Sequence, residues 1–280
     1  MDMLKLSDIL ESKQKESYDS KKQSEYLSKR YNESEGDKHL EDGYECNICK
    51  NKGWMSEVRE GPIGWYETMV ECKCMKIRRA IKRLDRSGLK DAAKKLTFKN
   101  YETTEPWQEK LLQAAMKFAE HPEDRWMYFG GCTGSGKTHL CTAVSMHLLR
   151  KGKEVYYMLW REDVPQLKSL QVSNMEEYTK RMDLLKTVDV LYIDDMFKTG
   201  RTESGAKQRP TSADINLAFE LLNKRAITGK TTIISSECTD AELIDIDQGL
   251  AGRIIHQARP YCMSLEGKDK DWRIKGTTTL

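Results

Sequence analysis

Two patterns of apolar and polar positions alternate along the last two thirds of the chain: a helical periodicity and short continuous apolar runs. Near residue 106, apolar side chains recur at helical spacing behind a proline suited to a first turn; they are Trp107, Leu111, Ala115 and Phe118. Short continuous apolar runs follow at 126–130, 154–160, 189–195 and 231–237. Apolar runs without alternation are typical of strands buried on both faces. The pattern predicts an α/β fold with a parallel sheet between helices.

The first 95 residues have a different pattern. Residues 1 to about 40 are dense in Lys, Glu, Ser and Tyr, which predicts one or two exposed helices or a segment that orders on binding. Clustered cysteines occupy 43–74, and a basic run continues to residue 95. We therefore predict two domains, a small α+β domain at 1–95 and a larger α/β domain at 96–280.

Composition narrows the class of protein. The chain has 280 residues, of which 32% are charged and 38% hydrophobic, and its net charge of +3 does not by itself indicate nucleic-acid binding. No apolar run approaches the roughly 20 residues that a membrane span needs. The first residues lack the basic and apolar regions of a secretory signal. We expect a cytoplasmic protein without a membrane partner.

Residues 131–138, "GCTGSGKT", match the phosphate-binding pattern G-x-x-x-x-G-K-T. In such a loop, backbone N–H groups point at the phosphates, Lys137 reaches the β- and γ-phosphates, and the Thr138 hydroxyl ligates Mg²⁺. The alternative, a glycine-rich turn before an ordinary helix, fits poorly because the pattern lies between an apolar strand and an amphipathic helix. The predicted ATP or ADP contacts are Gly131, Cys132, Thr133, Gly134, Ser135, Gly136, Lys137, Thr138 and His139.

Two later strands end in polar residues that suit the same site. Asp194 would hold Mg²⁺ through water, and Asp195 would orient the attacking water. Because Asp195 is shorter than the glutamate often found there, we expect slow turnover; two solvated aspartates are the alternative. On the next strand, Ser236 is the candidate that reaches the γ-phosphate, although Ser235, Ser236 and Glu237 also fit a plain serine turn.

Four of the eight cysteines form a second candidate site. Cys46, Cys49, Cys72 and Cys74 bracket a predicted hairpin, "GWMSEVR" and "WYETMV" around "GPIG", within about 44–75. Four thiolates suit tetrahedral Zn²⁺ and leave no open position, so we predict structural zinc. A reduced cluster without metal is the alternative. The scattered cysteines fit plain burial.

These motifs, with "TIISSE", "GLAGRIIHQA", "DWR" and "LTFKNYETTEPWQEKLLQAAMKF", resemble the DnaC/DnaI-type replicative helicase loaders, AAA+ ATPases with phage members and IstB-like transposition helpers. The resemblance covers about residues 44–280. It implies a AAA+ domain without a C-terminal helical lid, slow DNA-stimulated ATP hydrolysis, self-association, and loading of a DnaB-type helicase onto single-stranded DNA. It also implies that the cysteine module docks on the helicase.

Several residues take roles through this resemblance. Arg253 matches the arginine finger that completes a neighbouring subunit's site, with a surface arginine as the alternative. Arg225 is a weaker candidate for a similar role. Phe98 and Tyr101 fall where the family packs against adenine, although both could be core aromatics. Glu237 stands where loaders often carry Asn, which puts the chemistry of that position in question.

DNA contacts are the least specific prediction. The basic run 73–95 could follow a phosphate backbone, but a solvated helix face is the favoured interpretation. Lys168, Lys180 and Arg181 lie in a helical stretch whose counterparts in loaders face single-stranded DNA. Two other functions stay open: an IstB-like ATPase helper of a transposase, and a nucleotide-gated adaptor with little turnover.

Overall fold

The structure is a computed structural model that describes residues 3–62, 64–84, 95–122, 125–200 and 208–272. The chain folds into two compact units, residues 1–79 and residues 80–280. The boundary predicted at residue 95 adjoins residues 85–94, which lie outside the described part. Within the described ranges, no helix combines the length and the apolar character that crossing a membrane requires.

Unit 1 contains the predicted hairpin and helices on either side of it. Its elements are α1 (Met3–Glu33), α2 (Lys38–Asp42), β1 (Trp54–Gly61), β2 (Gly64–Glu71) and the start of α3 (Cys74–Leu84). β1 and β2 pair antiparallel, with Trp54 opposite Glu71 and Gly61 opposite Gly64. The two segments that flank the "GPIG" sequence therefore form the expected hairpin.

Small polar side chains attach α1 to the hairpin. Ser28 Oγ donates to Ser56 O at 2.8 Å, and the Asn32 amide both donates to Ser56 O at 2.8 Å and accepts from Ser56 N at 2.9 Å. Ser24 Oγ donates to Trp65 O at 3.2 Å. The lysine- and serine-rich N-terminal stretch is thus a helix packed on the sheet, a contact that its composition did not predict.

Unit 2 is a parallel α/β domain. After a 3-10 turn at Phe98–Asn100, its elements are α4 (Pro106–Glu120), β3 (Trp126–Gly131), α5 (Lys137–Arg150), β4 (Val155–Leu159), α6 (Trp160–Ser173), α7 (Met175–Thr187), β5 (Val190–Met196), α8 (Ser212–Ile227), β6 (Thr231–Ser236), α9 (Asp240–Ile246), α10 (Gln248–Ala258) and β7 (Cys262–Leu265). α4 begins as predicted, with Pro106 in its first turn and a capping box between Glu105 and Gln108.

The order of the five parallel strands, β4-β5-β6-β3-β7, brings the predicted motifs together. β6 lies between β3 and β5, with Phe129 paired to Ser235 and Ile193 paired to Ile234. All six residues of β3 and of β6 are buried. Because the carboxyl ends of parallel strands share one edge of the sheet, the glycine loop and the ends of β5 and β6 meet there.

Candidate nucleotide site and cysteine cluster

The glycine loop joins β3 to α5 in a conformation that only glycine adopts without strain. Gly136, the residue before α5, has φ +81, and a Cβ there would lie 2.7 Å from the Tyr101 ring. Gly131 has φ +98 and packs against the backbone of Leu265. The first N–H groups of α5 have no partners within the helix, so the loop and helix start form an anion-binding concavity.

Lys137 and Thr138 lie at the base of this concavity. The Lys137 side chain is buried, and its ammonium donates to the carbonyls of Gly131 at 3.0 Å and Cys132 at 2.6 Å. Burial lowers the pKa of Lys137, although nearby thiol and carboxyl groups oppose the shift. A cavity of about 370 Å³ opens above it, lined by residues 133–139 together with Asp195, Lys198 and Glu237.

Asp194 is the centre of a hydrogen-bond network. Its Oδ1 accepts from Thr138 Oγ1 at 3.1 Å, from Tyr192 Oη at 2.8 Å, and from Ser235 Oγ. Its Oδ2 accepts from Tyr157 Oη at 3.0 Å. Asp194 is buried. Burial and the charge of Asp194 raise the pKa of Tyr157 and of Tyr192, so both hydroxyls stay protonated and donate. The carboxylate and hydroxyl oxygens fit the hard ligands that Mg²⁺ prefers.

The serine beside Asp194 is Ser235, one residue before the one the sequence suggested. Ser235 Oγ also accepts from Asp195 N at 3.0 Å. Ser236 points to the opposite side of β6, where its hydroxyl donates to Met196 O at 2.6 Å and accepts from Cys238 N at 3.1 Å. Because neighbouring strand residues face opposite ways, Ser235 and not Ser236 contacts the Asp194 carboxylate, and the role of Ser236 at the γ-phosphate stays a prediction.

Asp195 and Glu237 share a lysine that the sequence reasoning missed. Lys198 Nζ lies 2.9 Å from Asp195 Oδ2 and 2.9 Å from Glu237 Oε1. Thr133 Oγ1, in the glycine loop, donates to the same Glu237 oxygen at 3.3 Å. The sequence offered one indication of the Lys198–Asp195 ion pair, because the lysine follows the aspartate by three residues. Its pairing with Glu237 required the tertiary structure.

A smaller cavity of about 160 Å³ adjoins the loop and suits a base. Tyr101 and His139 line it with Gly134–Gly136 and Trp272, and the two rings meet edge to face at 5.2 Å. Burial raises the pKa of Tyr101 to about 12. Phe98 lies instead against His147, with ring centroids 6.2 Å apart, and does not line this cavity.

The two candidate arginines differ in accessibility. Arg253 on α10 is partly exposed, and its guanidinium lies 4.8 Å from the Phe219 ring centroid. Its Nη1 is buried and has no hydrogen-bond partner among the described residues. It lines neither cavity at the loop of its own chain. Arg225 is fully buried and donates to the carbonyls of Leu185, Val188 and Thr231 and to Thr232 Oγ1. Its role is therefore to hold the core, which argues against the finger role considered for it.

The four predicted cysteines converge in unit 1. All four thiols are at most 5% exposed, and their sulfurs lie within 4.8 Å of one another. Cys46 Sγ is 3.9 Å from Cys72 Sγ, and Cys49 Sγ is 3.5 Å from Cys74 Sγ. Four sulfurs around a tetrahedral Zn²⁺ would be about 3.8 Å apart, so this donor set fits the metal.

Burial and mutual hydrogen bonds shift the pKa values of three of the four thiols. Burial raises the pKa of Cys72 and Cys74. At Cys49 burial acts in the same sense, but hydrogen bonds from Gly53 N and neighbouring thiols overcome it and lower the pKa to about 7. Four adjacent thiolates repel one another, so they can all ionise only when a cation is bound among them.

Comparison with known proteins identifies the family. The family model described as IstB-like ATP binding protein matches residues 68–276. The chain belongs to this family. Its relatives include XkdC, a protein of the phage-like element PBSX of Bacillus subtilis (strain 168), which is 30% identical over 80% of this chain and 83% of its own length. YqaM of the same bacterium is also 30% identical, over 72% of this chain and 66% of YqaM.

Helicase loaders appear among the IstB-like relatives and structures. The replicative helicase loader DnaC of Buchnera aphidicola (subsp. Schizaphis graminum) is 29% identical over 51% of this chain, which spans only 57% of that loader. A crystal structure of the DnaC helicase loader has a TM-score of 0.53 at 20% identity, covering 61% of this chain and 97% of that one. DnaA bound to AMPPCP and single-stranded DNA has a TM-score of 0.50 at 18% identity, over 63% and 51%. The predicted resemblance and AAA+ fold are confirmed.

The basic run predicted near residues 73–95 is only partly available for DNA. Arg78 is buried and pairs with Asp42 at 2.5 and 2.7 Å, and Arg79 pairs with Glu71. Arg83, Arg86, Lys90 and Lys94 lie outside the residues whose side chains are described. On α6 and α7, Lys168 pairs with Asp214 at 2.5 Å and Arg181 with Glu177 at 2.9 Å, whereas Lys180 is exposed.

Proposed function

We propose that this IstB-like protein is an ATPase that loads a ring-shaped, DnaB-type replicative helicase onto single-stranded DNA. The observation that carries the proposal is the combination, in one chain, of a AAA+ nucleotide site with a separate four-cysteine unit. The helicase loaders named DnaC among its relatives support it. A transposase helper would use the same motor residues, and the cysteine unit favours the loader.

The proposed chemistry follows from the contacts around the loop. Lys137 and the N–H groups of the loop and of α5 would hold the phosphates, and Tyr101 would pack against the adenine. Thr138 and Asp194 would hold Mg²⁺, which neutralises phosphate charge when bound. Asp195 would orient the attacking water, and Ser235 fixes the Asp194 carboxylate and the Asp195 backbone. We propose that the protein hydrolyses ATP slowly and that DNA stimulates this hydrolysis.

Arg253 would act on a neighbouring subunit. Its side chain is partly exposed and lies outside the two cavities at the loop of its own chain. A cation supplied by a second copy could neutralise charge that develops on the γ-phosphate. Self-association would then be needed for turnover but not for nucleotide binding.

Unit 1 would dock on the helicase, with Cys46, Cys49, Cys72 and Cys74 holding structural Zn²⁺. Thiolates are soft ligands that favour this ion, and the cluster stabilises a unit with little apolar core of its own. On unit 2, Lys168, Lys180 and Arg181 are the proposed contacts with single-stranded DNA. Of these, only Lys180 combines exposure with the absence of a described ion pair, so it is the first to test.

A second candidate, a nucleotide-gated adaptor with little turnover, is favoured by one contact. Lys198 pairs with Asp195, the residue proposed to orient water, and an ion pair makes a carboxylate a weaker hydrogen-bond acceptor for that water. In this case ATP binding alone would switch the protein between states.

The test is co-purification of the full chain with the replicative helicase of its host, with ATP and with ADP. We expect a complex whose amount depends on the nucleotide, and transfer of the helicase to a single-stranded DNA. Lys137→Ala should abolish nucleotide binding and that dependence, while Lys151→Ala, which removes only a surface pair with Glu120, should not. Failure to bind the helicase in any nucleotide state would reject the loader function. A stable complex and transfer without measurable hydrolysis would favour the adaptor.

A further inference from the structure

Lys198 is held at the mouth of the phosphate cavity by an unusual piece of backbone. Asp195 and Phe197 have φ +55 and +59, in the left-handed region that non-glycine residues rarely adopt. The turn they form returns the chain on itself, with Lys198 N donating to Asp195 O at 2.9 Å. Such conformations persist only where the surroundings fix them, and they cluster at functional sites. The turn directs Lys198 back toward the end of β5.

The ammonium of Lys198 joins the ends of two strands. It lies 2.9 Å from Asp195 Oδ2 after β5 and 2.9 Å from Glu237 Oε1 after β6, and its side chain is 27% exposed. Hydrogen bonds to both acids raise the pKa of Lys198 against the opposing effect of burial. Lys198 likewise lowers the pKa of Glu237, although burial acts the other way. Lys198 and Glu237 therefore stay charged near neutral pH.

The charges around the phosphate position explain why a second lysine is needed. Asp194, Asp195 and Glu237 put three carboxylates near the loop, against the ammonium groups of Lys137 and Lys198. Glu237 is close to the loop itself, since it accepts from Thr133 Oγ1 at 3.3 Å. Without Lys198, an incoming terminal phosphate would meet more of the negative charge of Glu237. Like charges at such separations in a partly buried site disfavour binding.

We propose that Lys198 is a cation that senses the terminal phosphate and makes this site prefer a nucleoside triphosphate over a diphosphate. The added phosphate brings its negative charge into the cavity that Lys198 lines. The Lys198 ammonium then interacts with both that phosphate and the Glu237 carboxylate. Asp195 then loses part of its ion pair and becomes a better acceptor for water. This inference deepens the proposed function, because it rests on binding of ATP at the same site.

The test compares the affinities of ADP and a non-hydrolysable ATP analogue, with Mg²⁺, by equilibrium titration of the full chain. Lys198→Met should weaken triphosphate binding by about tenfold or more, with ADP changed by less than about threefold. Glu237→Gln should shift the ratio toward the triphosphate. The double variant should recover part of the lost ratio, since removing Glu237's charge removes what Lys198 offsets. Lys151→Met is the matched control and should leave both affinities unchanged.

Each outcome separates the sensing role from a structural one. An unchanged ratio in Lys198→Met, or an equal loss of both affinities that Glu237→Gln does not rescue, would overturn the inference. Because no helicase is present, failure of the loader function leaves this measurement intact. A wild-type chain that binds neither nucleotide would instead defeat both the inference and the proposed function.

Discussion

Among the described residues, the cysteine cluster of unit 1 packs against the partly buried side chains of Tyr44, Met55 and Met75, whereas the candidate nucleotide site of unit 2 rests on a large apolar core. Among the described side chains of residues 18–79, the buried apolar ones are Cys46, Cys49, Cys72, Cys74 and Ile77. Unit 2 has a continuous core that runs from Trp126 and Tyr128 on the sheet to Leu250 and Ile254 on α10. The two candidate sites therefore differ in how much buried apolar surface surrounds them.

This difference has an energetic consequence. Because the described side chains of residues 18–79 bury few aliphatic groups to offset conformational entropy, we predict that a metal held by the cysteines contributes to the folding of unit 1. In unit 2 the sheet and helices can fold without a ligand, and they hold charged groups such as Asp194 and Arg225 in fixed hydrogen bonds. Ligand removal should therefore unfold the first site and merely empty the second.

The largest expected effect is the loss of unit 1 on removal of its metal. The full chain purified without added zinc should contain about one Zn per chain. Cys49→Ser, or a strong chelator, should abolish it and expose the amides of residues 1–79 to hydrogen exchange, because structural zinc contributes about 10–16 kcal/mol at pH 7. Nucleotide binding by unit 2 should persist.

A matched control for this result is Cys262→Ser, which alters a partly buried thiol on β7 of unit 2. It should leave the zinc content and the exchange of residues 1–79 unchanged. A wild-type chain with no zinc and a protected unit 1 would contradict the metal assignment.

An intermediate effect is expected from Arg225, which links β6 to the end of α7. Burial lowers the pKa of Arg225 to about 9, with the charge of Asp189 opposing the shift, and the buried guanidinium donates to four acceptors. Arg225→Met would leave three carbonyls without their donors and should cost about 3 kcal/mol or more. The melting temperature of unit 2 should fall by roughly 6 to 12 °C.

Lys224→Met, at an exposed neighbouring position on α8, is the control and should leave the melting temperature almost unchanged. Zinc content should not respond to either variant. If Arg225→Met melted like the wild type, the polar contacts of this core would be weaker than its geometry implies.

The smallest effect concerns pH and His139. Burial lowers the pKa of His139 below its ordinary 6.5, against the opposing hydrogen bond to Thr97 O at 2.8 Å. The unfolded chain then binds protons more readily than the folded one, so stability is complete above about pH 6.5 and falls as the pH drops below it. His139→Gln should flatten that decline in thermal melts between about pH 7 and 5.

His147 on the same helix is the comparison, since burial also lowers its pKa but its ring is more exposed and lies near Glu120. His147→Gln should flatten the decline less than His139→Gln. An unaltered pH profile in His139→Gln would show that other groups govern acid stability.

Much of the fold and both sites could be predicted from local patterns. The apolar runs predicted the strands, Pro106 marked the start of α4, and the glycine loop and the cysteine pairs marked two candidate sites by their spacing. Local patterns did not show which serine at the end of β6 faces Asp194. A shift of one residue exchanges the faces of a strand, and β5 has an irregular register between Ile193 and Met196, so Ser235 and Ser236 could not be told apart.

Other site residues lacked a complete local signal. Tyr192 lies two residues before Asp194 and hence on the same face of β5, which alternation could have shown. Tyr157 comes from β4 and reaches Asp194 because that strand pairs with β5. The role of Arg225 was misjudged because a sequence does not show whether an arginine is surrounded by carbonyls.

By itself, the sequence determined what depends on neighbours along the chain: a glycine loop that cradles anions, acids at a strand end, and thiols spaced for one ion. The tertiary structure decided what depends on distance in space. Lys198 and Glu237 belong to different segments and meet only because β5 and β6 are adjacent and parallel. An electrostatic interaction depends on separation in space, so the charge balance at the phosphate position could be known only once the sheet was assembled.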